Sequence, residues 1–275
     1  MLFDAHTHLN FDDFTEAERA ELAQEIANSE LGFIIDVGDS VETSKQALAD
    51  ADDYDWCYAA VGIHPDHASV YTDDDIEEIR KLAAHPKAMA IGEIGLDFYY
   101  GKDDQEEQQE LFRKQIRLAN ELRLPIMIHS RDANQLTMDI LKEEGAFSEE
   151  RKSWFAKRLG PTGEMQDDAR VQLHCYSGSA DMAEEYIKLG ATISLGGPVT
   201  FKNGKKAAEV VARIPIEFLM SETDAPYMAP EPLRGRPNKP YYVEHVVRKM
   251  ADIKGITYEE AAEKLVANGK RFFGI

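Results

Sequence analysis

Eight short apolar runs, each bounded by turn residues, alternate along this chain with helical patterns. We expect strands at 2–8, 33–37, 57–63, 88–94, 125–129, 171–175, 191–196 and 216–222. The clearest helical patterns lie at 104–123, 240–253 and 257–271. Such an alternation predicts a (β/α)8 barrel of the TIM type. The length of 275 residues suits a single domain over 1–275.

One connection is longer than the others. The segment 143–168 extends the link between the fifth and sixth predicted strands, and it mixes charged residues with aromatic residues, glycine and proline. A long loop on the catalytic face could act as a lid or contact the substrate. An excursion away from the site explains the same length equally well, so the sequence leaves both interpretations open.

Metal-ligating residue types recur where predicted strands end. His6 and His8 lie two positions apart on the first strand, so both rings point to one face. The later members of the set are Glu93, His129, His174 and Asp224. Each of them alone could be an ordinary hydrogen-bonded residue. Because the site of a TIM-type barrel lies at the carboxyl ends of its strands, we expect all six side chains to meet there.

Six such ligands are too many for one tetrahedral ion and suit two divalent ions that share a carboxylate. We assign His6, His8, Glu93 and Asp224 to one ion, and Glu93, His129 and His174 to the other. Glu93 is the expected bridge because its two oxygens can reach both ions. The pair would activate a water molecule as the nucleophile, with Asp224 as a proton acceptor. Mg²⁺, Mn²⁺, Zn²⁺, Co²⁺ and Ni²⁺ all remain candidates.

The motifs around these residues resemble those of the TatD family of metal-dependent deoxyribonucleases, within the amidohydrolase-like barrels. The matching stretches are 4–8, 61–65, 90–97, 128–131, 174–178 and 222–226. The resemblance covers nearly the whole chain, although 143–168 is longer than the family usually has there. It implies a TIM-type barrel, a divalent-metal site and hydrolysis of DNA phosphodiester bonds, commonly from an end.

Residues beside the predicted ligands must select the substrate, because metals alone do not distinguish a phosphodiester from an amide. Arg131 could clamp a phosphate, or it could pair with a barrel carboxylate such as Asp132 or Glu93. His64 could donate a proton to a phosphate oxygen or leaving group, or it could stabilise the turn before Pro65. We therefore count Asp224, Glu93 and His64 as the candidate catalytic residues.

Two basic loops follow the last two predicted strands and contribute Lys202, Arg234 and Arg236. They could form a phosphate track, or they could be solvated surface charge. Tyr99, Tyr100 and Tyr227 near the same rim could stack on bases, although packing is the commoner role of a single tyrosine. A net charge of −20 argues against a broad nucleic-acid surface but not against a local one.

The family resemblance implies a deoxyribonuclease that acts exonucleolytically, and we expect single-stranded DNA or DNA ends as its substrate. We infer no obligate protein partner. The alternative is a C–N or ester hydrolase of a small molecule, although many such centres use a modified lysine where Glu93 stands. A metal-bearing binding protein without turnover is a third class. Without a leader-like or bilayer-length apolar run, we expect a cytoplasmic protein with Cys57 and Cys175 reduced.

Overall fold

Parallel strands form the centre of the structure, a computed structural model that describes residues 1–11, 14–100 and 103–275. The strands among these residues are β1 (Leu2–Thr7), β2 (Leu31–Val37), β3 (Cys57–Val61), β4 (Ala88–Asp97), β5 (Ile126–Arg131), β6 (Arg158–Leu159), β7 (Met165–Gln166), β8 (Val171–Leu173), β9 (Thr192–Leu195) and β10 (Leu219–Ser221). Strands β6 and β7 pair as a small antiparallel hairpin. The other eight form one sheet in the order β1-β2-β3-β4-β5-β8-β9-β10.

The sheet closes on itself between its last and first strands. Asp224 N donates to His6 O at 2.9 Å, and His8 N donates to Ala225 O at 2.8 Å. The buried Asp4 carboxylate on β1 also accepts a hydrogen bond from Thr223 N at 2.8 Å. These bonds join the first strand to the residues that follow the last one, and they confirm the predicted TIM-type barrel.

Helices surround the barrel and pack their apolar faces against it. Their bounds are α1 (Glu16–Ala27), α2 (Val41–Asp53), α3 (Asp73–Leu82), α4 (Gln105–Leu122), α5 (Asn134–Glu143), α6 (Glu149–Ser153), α7 (Ala180–Leu189), α8 (Lys205–Arg213), α9 (Val243–Lys254) and α10 (Tyr258–Phe273). Thr15, Ser40 and Thr72 each begin a helix with a reciprocal capping box. No helix in the described ranges is both long and apolar enough to cross a membrane.

Strands β4 and β5 run further than the sequence predicts, to Asp97 and Arg131. The two strands approach closely because Gly95 pairs with His129, and a Cβ at Gly95 would overlap the His129 carbonyl oxygen. The prediction that Glu93 ends its strand is therefore wrong. Glu93 lies inside β4, and Asp97 reaches the rim next to Arg131.

The long connection between β5 and β8 contains α5, α6 and the β6–β7 hairpin. The buried Arg151 of α6 donates to Leu124 O at 2.8 Å and to Ala169 O at 2.9 Å. Leu124 and Ala169 come shortly before β5 and β8, so this contact lies at the amino ends of the strands. The excursion away from the site is therefore the correct interpretation of this segment, and the lid is wrong.

Candidate metal centre

The buried Glu93 carboxylate lies at the middle of the predicted ligand set. Its Oε2 is 3.3 Å from His6 Nε2 and 3.9 Å from His8 Nε2. Its Oε1 is 2.8 Å from His129 Nδ1 and 3.0 Å from His174 Nε2. The two oxygens of one carboxylate thus face two separate groups of imidazoles.

Asp224 completes the group on the Oε2 side. Its Oδ1 lies 3.8 Å from His6 Nε2 and 3.6 Å from His8 Nε2. The two Nε2 atoms are 3.2 Å apart. Two nitrogen ligands bound at about 2.1 Å to one ion in a tetrahedral arrangement lie about 3.4 Å apart. The spacing of the two rings therefore fits a shared ion.

Two further tight groups of ligand atoms lie around the Glu93 carboxylate, and they share no residue with each other. Ligand atoms of His64, Glu93 and His129 all lie within 4.8 Å of one another, and so do those of His6, His174 and Glu222. All six predicted ligands are thus brought together. The assignment of His129 and His174 to one ion stays a prediction, because the tight groups in the described part of the chain separate them.

Two histidines of the centre have a hydrogen-bond acceptor on the ring nitrogen that faces away from it. These contacts join His8 Nδ1 to Val37 O at 2.8 Å and His129 Nε2 to Asp97 Oδ2 at 3.1 Å. His174 Nδ1 lies 3.3 Å from Glu222 Oε1 but forms no hydrogen bond in the described part of the chain. A hydrogen-bond acceptor favours a proton on the nitrogen it contacts. The other nitrogen then presents its lone pair towards Glu93, as a metal ligand requires.

Asp97 and Glu222 were missed as site residues by the sequence reasoning. Asp97 follows Glu93 by four positions on β4, and Glu222 precedes Asp224 by two. Even spacing along an extended chain places side chains on one face. That spacing was the signal that could have identified both carboxylates.

The charges of the centre suit a cation. Burial lowers the pKa of His8, but Asp224 and Glu93 outweigh it and raise that pKa to about 9. Burial likewise opposes the charge on His129, while Asp97 and Glu93 raise its pKa to about 9. Burial also raises the pKa of Glu93, but neighbouring imidazoles, His174 foremost, hold it well below its usual range. Without ions, protons occupy the positions where metal ions would bind, so the donor set fits divalent ions.

Known proteins resemble this chain in both sequence and fold. The family described as TatD related DNase matches residues 3–274 of the sequence. The chain belongs to the TatD-related DNase family. The family resemblance stated from the motifs is therefore confirmed.

Relatives match this TatD-family chain from end to end. An uncharacterized metal-dependent hydrolase, YabD of Bacillus subtilis strain 168, is 41% identical over 275 residues and is covered completely, as is this chain. A protein of Erwinia tasmaniensis named 3'-5' ssDNA/RNA exonuclease TatD is 30% identical, with 100% of each chain covered. The crystal structure of the TatD homologue YjjV from Escherichia coli K12 has a TM-score of 0.86 at 30% identity and covers 100% of this chain and 98% of its own.

Arg131 of this TatD-family chain stacks on aromatic rings. Its guanidinium carbon lies 3.9 Å from the centroid of the Tyr99 ring and 4.7 Å from that of Tyr100. Within the described residues it forms no ion pair with Asp132 or Glu93, the partners considered from the sequence. Its charge therefore stays available beside the centre.

His64 stabilises the turn after β3, as the sequence allowed, and its proton-donating role stays a prediction. Its Nδ1 accepts a hydrogen bond from Asp66 N at 3.2 Å, which stabilises the turn after β3. Its Nε2 lies 3.8 Å from Glu93 Oε1. The turn contact directs the other ring nitrogen into the centre.

The basic residues of the outer loops are exposed. Arg234 stacks on Phe201 at 4.2 Å and so joins the loop after β10 to the loop after β9. Lys202 and Arg236 extend from the same two loops into solvent. Substrate binding by these three side chains stays a prediction.

Proposed function

We propose that this TatD-family protein uses two divalent ions to hydrolyse phosphodiester bonds of DNA, removing nucleotides from an end. The observation that carries the proposal is the position of Glu93. One of its oxygens faces His6 and His8, and the other faces His129 and His174. A single carboxylate placed in this way suits two ions close together, the arrangement that clamps a phosphoryl group during in-line displacement.

Each ion would have its own ligands besides Glu93. His6, His8 and Asp224 would hold the first, and His129 and His174 the second. When bound, the ions would supply a water of lowered pKa and positive charge at the phosphoryl oxygens. Imidazole ligands suit Mn²⁺, Co²⁺, Ni²⁺ or Zn²⁺, and the carboxylates also admit Mg²⁺.

Asp224 and His64 would move protons. Burial raises the pKa of Asp224, but the hydrogen bond from His8 and the nearby imidazoles hold it below its usual value. Asp224 is therefore ionised at neutral pH and can accept a proton. His64 uses Nδ1 as an acceptor, so its neutral ring carries the proton on Nε2. That N–H would donate a hydrogen bond to a phosphate oxygen, whereas proton transfer to the leaving group would require the imidazolium form of His64.

Positive side chains would bind the strand itself. Arg131 would contact the phosphate nearest the centre, and Lys202, Arg234 and Arg236 would contact phosphates further along. The name of the Erwinia tasmaniensis relative, an exonuclease of single-stranded DNA and RNA, supports action on single-stranded DNA or DNA ends. The free thiols of Cys57 and Cys175 support a reducing, cytoplasmic setting.

End-labelled oligonucleotides test the proposal. Metal-depleted protein is reloaded separately with Mg²⁺, Mn²⁺, Co²⁺, Ni²⁺ or Zn²⁺ and incubated with single-stranded DNA labelled at the 5' or the 3' end. We expect progressive shortening with at least one ion and no shortening by Asp224→Asn. Intact DNA with every ion, together with hydrolysis of small esters or amides, would instead support the C–N or ester hydrolase.

A further inference from the structure

Asp97 joins the metal centre to an aromatic loop at the end of β4. Its Oδ2 lies 3.1 Å from His129 Nε2. Its Oδ1 accepts hydrogen bonds from the backbone nitrogens of Tyr99 at 2.9 Å and Tyr100 at 3.1 Å. The carboxylate is buried, so both of its oxygens are committed to these contacts. The position of the two tyrosines is therefore coupled to the position of His129.

Arg131 closes this set of contacts. Arg131 lies opposite Asp97 in the parallel β4–β5 ladder. Its carbonyl oxygen accepts a hydrogen bond from Phe98 N at 2.9 Å. Its guanidinium covers the rings of Tyr99 and Tyr100. Because Arg131 follows His129 by two positions on the same strand, both residues face the same rim. The two rings and the guanidinium thus form one unit, the Tyr99–Tyr100–Arg131 platform, beside the proposed ligand His129.

The platform is open to solvent although it is largely aromatic. Tyr99 is 49% exposed and Tyr100 is 69% exposed. Their rings meet edge to face at 4.7 Å, which leaves ring surface uncovered. Exposed aromatic faces next to an arginine without a carboxylate partner in the described residues suit a flat ring that carries an anion. A nucleobase with its phosphate has that chemistry.

A second arginine–tyrosine stack in the molecule shows what a purely structural pair looks like. Arg248 lies 4.1 Å from the ring centroid of Tyr258. Arg248 is neutralised by Glu244 at 2.7 Å, and the Tyr258 hydroxyl bonds to Glu30 at 3.3 Å. Glu30 directly precedes β2, so this pair lies at the opposite end of the barrel. The charge of Arg248 and the hydroxyl of Tyr258 are thus satisfied by the chain, whereas Arg131 stacks without a carboxylate partner among the residues that the structure describes.

We propose that the Tyr99–Tyr100–Arg131 platform is a base-stacking subsite for the nucleotide whose phosphate enters the metal centre. The inference rests on the proposed function and adds a contact to the base. The tyrosines would stack on the base while Arg131 binds the phosphate. Asp97 would hold this subsite at a fixed position relative to His129.

Binding of a hydrolysis-resistant strand tests the subsite. A short phosphorothioate-linked single strand carries 2-aminopurine at one end, and a matched strand is abasic at that nucleotide. Both strand polarities are titrated into the protein as purified, and binding is followed by anisotropy of a distant dye and by 2-aminopurine fluorescence. The variants are Tyr99→Ala/Tyr100→Ala, Tyr99→Phe/Tyr100→Phe and, as a matched control, Tyr258→Ala.

We expect the double alanine variant to bind the base-bearing strand about 10- to 100-fold more weakly, the range for loss of base stacking. It should bind the abasic strand as wild type does, within about twofold, and should lose the quenching of 2-aminopurine. The phenylalanine variant and Tyr258→Ala should behave as wild type. Equal losses on both strands, or wild-type binding by the double alanine variant, would overturn the subsite.

Hydrolysis of the corresponding phosphodiester strand by the wild type is measured alongside. Hydrolysis that does not depend on the terminal base overturns the subsite and leaves the proposed function standing. Absence of hydrolysis with every ion counts against the proposed function, whatever the binding data show.

Discussion

Both ends of the barrel bury charged groups, but these groups have different kinds of partner at the two ends. At the amino end Arg151 donates to Leu124 O, Ala169 O and, at 2.7 Å, Asn120 Oδ1. At the carboxyl end Glu93 is surrounded by imidazoles, whose charge depends on bound protons. At the amino end the positive charge belongs to an arginine side chain. At the carboxyl end it is carried by bound protons, which can be exchanged. The comparison indicates that the amino end serves stability and the carboxyl end serves chemistry.

Arg158 at the amino end is likewise bound by groups of the chain itself. It donates to Asp168 Oδ1 at 2.6 Å and to the carbonyl oxygen of Ala191 at 3.0 Å. Asp168 also pairs with Arg271 from α10. These contacts attach the 143–168 segment to the barrel at the amino ends of the strands.

Removal of Glu93 should have the largest effect. Glu93→Ala should lower metal content at both positions and reduce DNA hydrolysis by about 1000-fold or more, because several kcal/mol of charge stabilisation would be lost. His174→Ala should lower the metal content mainly at one of the two positions. Elemental analysis of the purified proteins measures both effects, with the exposed Glu121→Ala as the control. Equal metal content in wild type and both variants would contradict the bridging role.

Replacement of Arg151 should affect stability instead. Arg151→Met keeps much of the side-chain volume but leaves the carbonyl oxygens of Leu124 and Ala169 without their donor, and should reduce the free energy of unfolding by about 2–4 kcal/mol. Urea denaturation measures the change, with the exposed Arg248→Met as the control. Metal content per folded molecule should stay unchanged. A loss of metal content with unchanged stability would contradict the assignment of the amino end to stability.

Asp97→Asn should weaken metal binding at the position that includes His129. The substitution removes the carboxylate that orients this ring, and such second-layer changes typically cost 10- to 100-fold in affinity. Competition with a chromophoric chelator measures the affinity, and Asp132→Asn at the same rim is the control. Wild-type affinity in Asp97→Asn would show that His129 needs no such support.

Metal affinity should rise with pH between about 7 and 9. His8 and His129 of the metal-free protein have pKa values of about 9, so a metal ion must displace their protons. Affinity should increase about tenfold per pH unit for each displaced proton. Because both pKa values lie above that of unfolded histidine, their stabilisation of the metal-free fold is complete below about pH 6.5 and is lost towards pH 9. Calorimetry in buffers of different ionisation enthalpy counts the released protons.

Arg234→Ala should have the smallest effect. Loss of one exposed phosphate contact should weaken binding of single-stranded DNA a few-fold and reduce the salt dependence by about one charge. Binding titrations at several salt concentrations measure the slope. Arg213→Ala, which removes an exposed arginine already paired on α8 and α7, should leave the slope unchanged.

The barrel and the ligand positions were predictable because their signals are periodic or local. The paired His6 and His8, and the metal-ligating residues near the ends of the fourth, fifth, sixth and eighth predicted strands, point to one rim once the alternation of strands is recognised. Asp97 was missed because β4 continues past Glu93, and that extension depends on the close approach of Gly95 to His129 on the neighbouring strand.

The sequence by itself determined the alternation of the eight barrel strands with helices, the family, and six of the residues that meet at the carboxyl rim. Only the tertiary structure decided that Glu93 turns one oxygen to each group of histidines, that Asp97 joins His129 to the tyrosines, and that the 143–168 segment lies at the opposite end. The reason is physical: periodicity records which face a side chain occupies. The partner it meets there depends on strand register and on distant backbone atoms, such as the carbonyl oxygens that bind Arg151.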